Sequence, residues 1–152
     1  MVALLFKDDI EKLRPIADAW QEECMADDFG ILADDVDRYL GELQSMAASD
    51  DADLLVLYEG RQPVGYIGLQ YFDSPLGNQK MANEHFFYVI PDKRGIASMR
   101  LMKLAKQCAK AKGCSHVIFN ASNLASGLHR KVCRLYERMN MKHFETSYIS
   151  EV

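Results

Sequence analysis

The stretch VIPDKRGIASMRLMKLAKQCAKAKG, Val89 to Gly113, carries an apolar run through Pro-Asp-Lys-Arg-Gly into a basic segment of helical composition. Seven Lys or Arg fall between Lys93 and Lys112, and from Pro91 to Gly113 the only acid is Asp92. The first N–H groups of a helix have no partner within it, and the helix dipole puts positive charge beside them. The turn therefore has the makings of an anion site, phosphate above all; it is also compatible with an ordinary connection. A second spacing with chemistry in it is His129 and Cys133, at i and i+4 on an expected helix. That pair is half a metal site, and no second half stands at ligand spacing, so no metal is expected.

The elements that must position these residues follow from periodicity. Val2 to Phe6 suits a first strand. Asp8 or Asp9 can cap a helix with Ile10, Leu13, Ala17, Trp20 and Cys24 on one face, and Pro15 inside it implies a kink or a late start. A second helix follows Asp34-Asp35, with Val36, Tyr39, Leu40 and Leu43 inward. "DLLVLYEGRQPVGYIGLQYF" reads as a hairpin turning at Glu-Gly-Arg-Gln, and "ANEHFFYVI" as the next strand. The basic helix spans about Ile96 to Lys112 and stops at Gly113. "HVIFNAS" is a further strand. Leu128, Val132, Leu135, Tyr136 and Met139 mark a last helix, and "KHFETSYISEV" is expected to close the chain as a strand.

The order β-α-α-β-β-β-α-β-α-β is α/β: one domain over residues 1–152, with a mixed central sheet and helices on both faces. Its strand–basic helix–strand portion requires a right-handed parallel crossover. Neither a membrane span nor a signal-like segment is evident, and Cys24, Cys108, Cys114 and Cys133 contain no C-x-x-C pair, so a cytoplasmic protein with reduced thiols is expected. The net charge of −4 hides a division. Residues 1–59 hold 16 acids and 4 bases, a net of −12; residues 60–152 hold 6 acids and 14 bases, a net of +8. Solvated helix faces account for such a split, and so do two regions handling ligands of opposite charge. A pI near 5.5 argues against a general nucleic-acid binder, even with Lys103, Lys106 and Lys110 striped along the basic helix.

Three segments in this order carry a resemblance. "EGRQPVGYIGL" is similar to the second-to-third-strand hairpin of the GNAT (GCN5-related) N-acetyltransferases. "FYVIPDKRG" resembles their fourth strand and the start of their acyl-CoA loop, and "RLYERMNM" resembles their L-Y-x-x-x-G-F ending. The closing "HFETSYISEV" resembles GNAT-like proteins of phage genomes. The resemblance implies acetyl-CoA as co-substrate and an amine-bearing acceptor, small molecule or peptide, with no nucleic acid and no membrane as partner and a homodimer as an option. The rival reading is a non-catalytic GNAT-like module that binds coenzyme A or protein.

By the same resemblance, the pyrophosphate lies against the loop after strand four: Lys93, Arg94, Gly95, Ile96, Ala97 and Ser98, with Tyr88, Val89 and Asn123 completing the cofactor set. The family motif Arg/Gln-x-x-Gly-x-Gly/Ala is met only at Arg94; Ala97 replaces its first glycine and Met99 its second small residue. A loop shortened by one or two residues, with Gly95-Ile96-Ala97 as remnant, is the alternative. Tyr136 matches the general acid that protonates the departing thiolate. Asn140 stands in place of the family glycine, whose left-handed backbone Asn can adopt. For the base, the resemblance points to strand four, to the positions of His85 and Asn83. Glu84 acting through a water is a further candidate, and direct attack with a water-relayed proton is the alternative. Strict alternation puts His85, Phe87 and Val89 on one face and Glu84, Phe86 and Tyr88 on the other. His85 has the better ordinary pKa for a base near neutrality.

Overall fold

Two aspartates set the helix starts of the N-terminal part. In the computed structural model, which describes residues 1–25, 30–124, 127–150 and 152, Asp9 accepts from Glu11 N and opens a short 3-10 turn, Ile10–Leu13. Helix α1, Arg14–Met25, follows directly. Pro15 is its second residue, where a missing N–H costs nothing, so it marks a late start. Asp35 accepts from Arg38 N at 2.8 Å and opens α2, Val36–Ala48.

Five strands form one mixed sheet in the order β1-β2-β3-β4-β5: β1 Val2–Leu5, β2 Ala52–Glu59, β3 Gln62–Asp73, β4 Lys80–Val89 and β5 His116–Ile118. The first four are antiparallel neighbours, and β2 and β3 meet at Glu59↔Gln62 across a two-residue turn. Helix α3, Ile96–Ala111, makes the crossover to β5, which pairs parallel to β4 as expected. Gly113, at φ 82°, ends α3, with Cys114 N reaching back to Ala109 O at 2.9 Å. Helix α4, His129–Arg138, follows β5.

Leu54 to Leu57 are all completely buried, as in a strand covered on both faces. Leu54 and Val56 join Tyr66 and Tyr88 under α1 and α2, where Trp20 stacks on Tyr39 at 4.1 Å and the Tyr39 and Tyr66 hydroxyls bond at 2.8 Å. Leu55 and Leu57 join Ile67, Leu69 and Val89 under Ala97, Leu101 and Ala105 of α3. Each side chain so buried contributes about 1.5–3 kcal/mol relative to an exposed one.

Two expectations need correction. Residues 141–150 form no strand, and Phe144, Tyr148 and Ile149 are exposed. Phe144 and Tyr148 would share a strand face, but both are exposed and no sheet edge pairs with the segment. The strand expected over "HVIFNAS" stops at Ile118 after three residues.

Candidate active site

The register of β4 carries one irregularity, and the site is built on it. Val89 to Phe86 pair with Gly65 to Gly68, but Leu69 pairs with Glu84, so His85 is an extra residue. Such a bulge shifts the alternation by one. Phe86 and Tyr88 belong with the α1–α2 core, whereas Glu84 is in register with Leu69 of the α3-side core. The strict alternation expected from sequence therefore fails at His85. His85 itself is exposed, with its ring 6.3 Å from that of Phe86.

Glu84 is 5% exposed, yet it carries a carboxyl group. Its Oε2 accepts from Asn120 N at 2.9 Å. Burial pushes its pKa up to about 7, against the opposing pull of that hydrogen bond. Asn120 also turns its amide to Asn83 Oδ1, at 3.1 Å, and to the carbonyl of Glu84. Its own carbonyl accepts from Tyr136 Oη at 3.1 Å. Tyr136 is the one residue of α4 that is buried, against Phe119. Burial first, then the charges of Glu84 and Cys133, raise its pKa well above the ordinary value, so the phenol keeps its proton. One residue, Asn120, thus links the expected acid to one of the two expected bases. Sequence reasoning did not single it out; Asn123, expected in the cofactor set, is exposed. A polar residue just past the apolar run of β5 was the available signal.

The β4–β5 ladder covers only Met81↔His116 to Asn83↔Ile118, and β4 continues six residues further, to Val89. The edge of β4 beyond Asn83 is thereby left beside Asn120 and Tyr136. At its far end β4 passes through the turn Pro91–Lys93 to Gly95, at φ 90° and ψ −104°, a conformation that suits glycine. Beyond its chain neighbours, no described atom lies within 4 Å of where a Cβ on Gly95 would stand. Gly95 is the N-cap of α3 and no side chain caps it, while its carbonyl takes Met99 N at 3.1 Å. The N–H groups of Ile96, Ala97 and Ser98 precede that bond, as an anion site requires. Ala97 and Ser98 are buried as side chains and Ile96 is exposed.

Two of the expected phosphate-loop side chains turn elsewhere. Lys93 Nζ pairs with Glu59 at 2.7 Å. Arg94 donates from Nε to Val89 O at 2.8 Å and from its terminal nitrogen to Glu23 of α1 at 2.6 Å. Its guanidinium lies over the ring of Tyr88, 5.3 Å from the centroid, and Tyr88 Oη donates to Glu23 at 2.8 Å. The Tyr88 side chain is thus part of the core, which leaves only its backbone on the β4 edge. Glu23 is a second residue that the sequence did not single out.

Several of the N-terminal acids have structural work. Asp9 and Asp35 are caps; Glu11 and Asp37 pair with Arg14, and Asp8 with Lys12. A shallow depression of about 460 Å³ beside them is lined by Arg14, Gln21, Asp34, Asp35, Val36 and Asp37. The Asp27-Asp28 pair lies outside the described residues. After the αL residue Asn140, at φ 57°, Met141 N closes on Tyr136 O at 3.0 Å, so Asn takes the backbone expected of it. Among the described residues, no three His, Cys, Asp or Glu side chains converge as a metal site, and no helix is long and apolar enough to cross a membrane.

Residues 13–141 match the model of the acetyltransferase (GNAT) family. A ribosomal-protein-alanine N-acetyltransferase from Brucella melitensis biovar Abortus has a similar structure, with a TM-score of 0.73 at 17% identity over 100% of both chains. A GNAT family acetyltransferase from Staphylococcus aureus gives 0.72 at 16% identity, over 99% of this chain and 98% of the other. An aminoglycoside acetyltransferase from an uncultured soil metagenomic sample gives 0.68 at 13% identity, over 100% and 99%. None of the curated proteins matches the chain in sequence.

Proposed function

Because the chain belongs to the acetyltransferase (GNAT) family, we propose that this N-acetyltransferase moves the acetyl group of acetyl-CoA to a primary amine by direct attack in a ternary complex. The observation that carries the reading is the chain Glu84–Asn120–Tyr136 beside the unpaired edge of β4. It sets a buried carboxyl with a pKa near neutrality close to a phenol that stays protonated, which is the division of labour that acid–base transfer needs.

The residues present fit the co-substrate. The amides of Ile96, Ala97 and Ser98 would hold the pyrophosphate, with Gly95 giving open backbone in front of them. The β4 backbone around Val89 would polarise the acetyl carbonyl. When bound, acetyl-CoA supplies the activated thioester. Ionised Glu84 takes the proton of the incoming ammonium, directly or through a water. Tyr136 Oη gives its proton to the departing thiolate. His85, exposed on the bulge, is the second candidate base. Arg94 acts by holding the loop against Glu23 and Val89 O rather than by touching phosphate.

Binding is the deciding test, since a ligand that prefers the folded state stabilises it by mass action. Acetyl-CoA should raise the melting temperature of the wild type. Ile96→Pro should blunt that rise without harming the fold, because Pro is accepted at the first helical position while the N–H is lost. A wild type with no shift at millimolar acetyl-CoA would point to the non-catalytic module.

The acceptor reading rests on charge. The depression along α1 and α2 is lined by three aspartates and one arginine, in the part of the chain with a net of −12. Such a field draws in cations, over roughly 10 Å at 0.1 M salt. A polyamine, an aminoglycoside or a basic peptide amine should be acetylated faster than glutamate, with the advantage shrinking as salt rises. Preference for glutamate, or indifference to salt, counts against this assignment.

A further inference from the structure

His129, Cys133 and Tyr136 stand at i, i+4 and i+7 and form one stripe along α4. Two of the three are pinned to consecutive carbonyls of the segment leaving β5. Tyr136 Oη donates to Asn120 O, and His129 Nδ1 lies 2.9 Å from Ala121 O. A carbonyl oxygen only accepts, so Nδ1 carries the hydrogen, and Nε2 of the neutral imidazole is left with its lone pair. That Nε2 is 3.6 Å from Cys133 Sγ. A thiol beside a base whose other nitrogen is fixed by a third group is the arrangement of an activated nucleophile. Cys133 is half-buried, within reach of a small reagent, and stands one turn of α4 from Tyr136. Cys108 and Cys114 pack instead against the α3-side core.

We propose that Cys133 is a resident acetyl acceptor, an S-acetylation site that takes the acetyl group of a bound acyl thioester when no amine is present. This rests on the acetyl-CoA reading above. Sγ forms its bond to the acetyl carbon as His129 Nε2 takes the thiol proton. The bond from that carbon to the coenzyme sulfur breaks, and the departing thiolate receives the proton from His129. One thiol and one thioester are consumed and one of each is formed, so no oxidant or reductant is needed. The same step run backwards returns the acetyl group to coenzyme A.

The test incubates the full chain with acetyl-CoA and no amine, then follows intact mass and maps peptides. One acetyl group on Cys133, removed by neutral hydroxylamine as a thioester is, is the expected result. Cys133→Ser should abolish it, and His129→Gln should slow it by about tenfold or more. A second readout needs no acetyl-CoA. Iodoacetamide should alkylate Cys133 more slowly in His129→Gln than in the wild type, with Cys108 unchanged between the two. If Cys133 stays unacetylated while the wild type still acetylates an amine, or if both rates ignore His129, the site is overturned and the acetyltransferase reading stands. Failure of that reading shows separately, as the missing thermal shift.

Discussion

Replacing Tyr136 by Phe lowers turnover by roughly ten- to ten-thousand-fold and leaves acetyl-CoA binding close to wild type. The substitution keeps the ring against Phe119 and removes only the hydroxyl, so packing is preserved. What disappears is a phenol that burial holds protonated far above its ordinary range, with Glu84 and Cys133 adding to the effect. Without that donor the thiolate must leave unprotonated or find a water. The structural cost is one hydrogen bond to Asn120 O, about 1 kcal/mol, too little to explain a large loss of rate by unfolding. Steady-state kinetics beside a thermal melt decide the matter. Unchanged turnover returns Tyr136 to the core as a packed aromatic and hands the proton to solvent.

Glu84→Gln should move activity and stability in opposite directions. Burial raises the folded-state pKa from 4.5 to about 7, so between those values the native protein keeps a proton that the unfolded chain has released. Stability therefore falls as pH rises through that window, and above it the ionised, buried carboxylate costs about 3 kcal/mol. Gln cannot ionise, and its carbonyl oxygen can still accept from Asn120 N. At pH 8 the variant should melt higher than the wild type, while its kcat drops by roughly a hundred- to ten-thousand-fold for want of a base. The wild-type rate should climb with an apparent pKa near 7. A variant that melts lower at pH 8 would show that Glu84 is held as a stabilising anion. A rate profile unchanged by the substitution would pass the base to His85.

What the sequence made legible is what short-range chemistry decides. Asp35 before an apolar-periodic segment, Gly113 after one, and Gly60 between two strands each fix a local backbone, and each stands where it was expected. Of the kink or late start that Pro15 implied, the structure has the late start, and its effect is confined to one turn. The parts that stayed hidden are decided across the sheet. Nothing near Arg94 announces Glu23, which is 71 residues away, and nothing near Tyr136 announces that Asn120 takes its hydroxyl. The strand expected at the C-terminus shows the same limit from the other side. Composition alone allowed it, but a strand exists only where a neighbour offers a ladder.

The extra residue in β4 has a consequence for how the chain tolerates change in length. Along a strand the side chains answer only to parity, and the one residue between Glu84 and Phe86 would put both on one face if it were not bulged out of the ladder. Removing His85 alone would close the bulge: Glu84 would directly precede Phe86, still opposite Leu69 and still on the face away from Phe86. Chemistry at this position is thus encoded partly as arithmetic: a substitution at His85 and its one-codon deletion both leave Glu84 opposite Leu69.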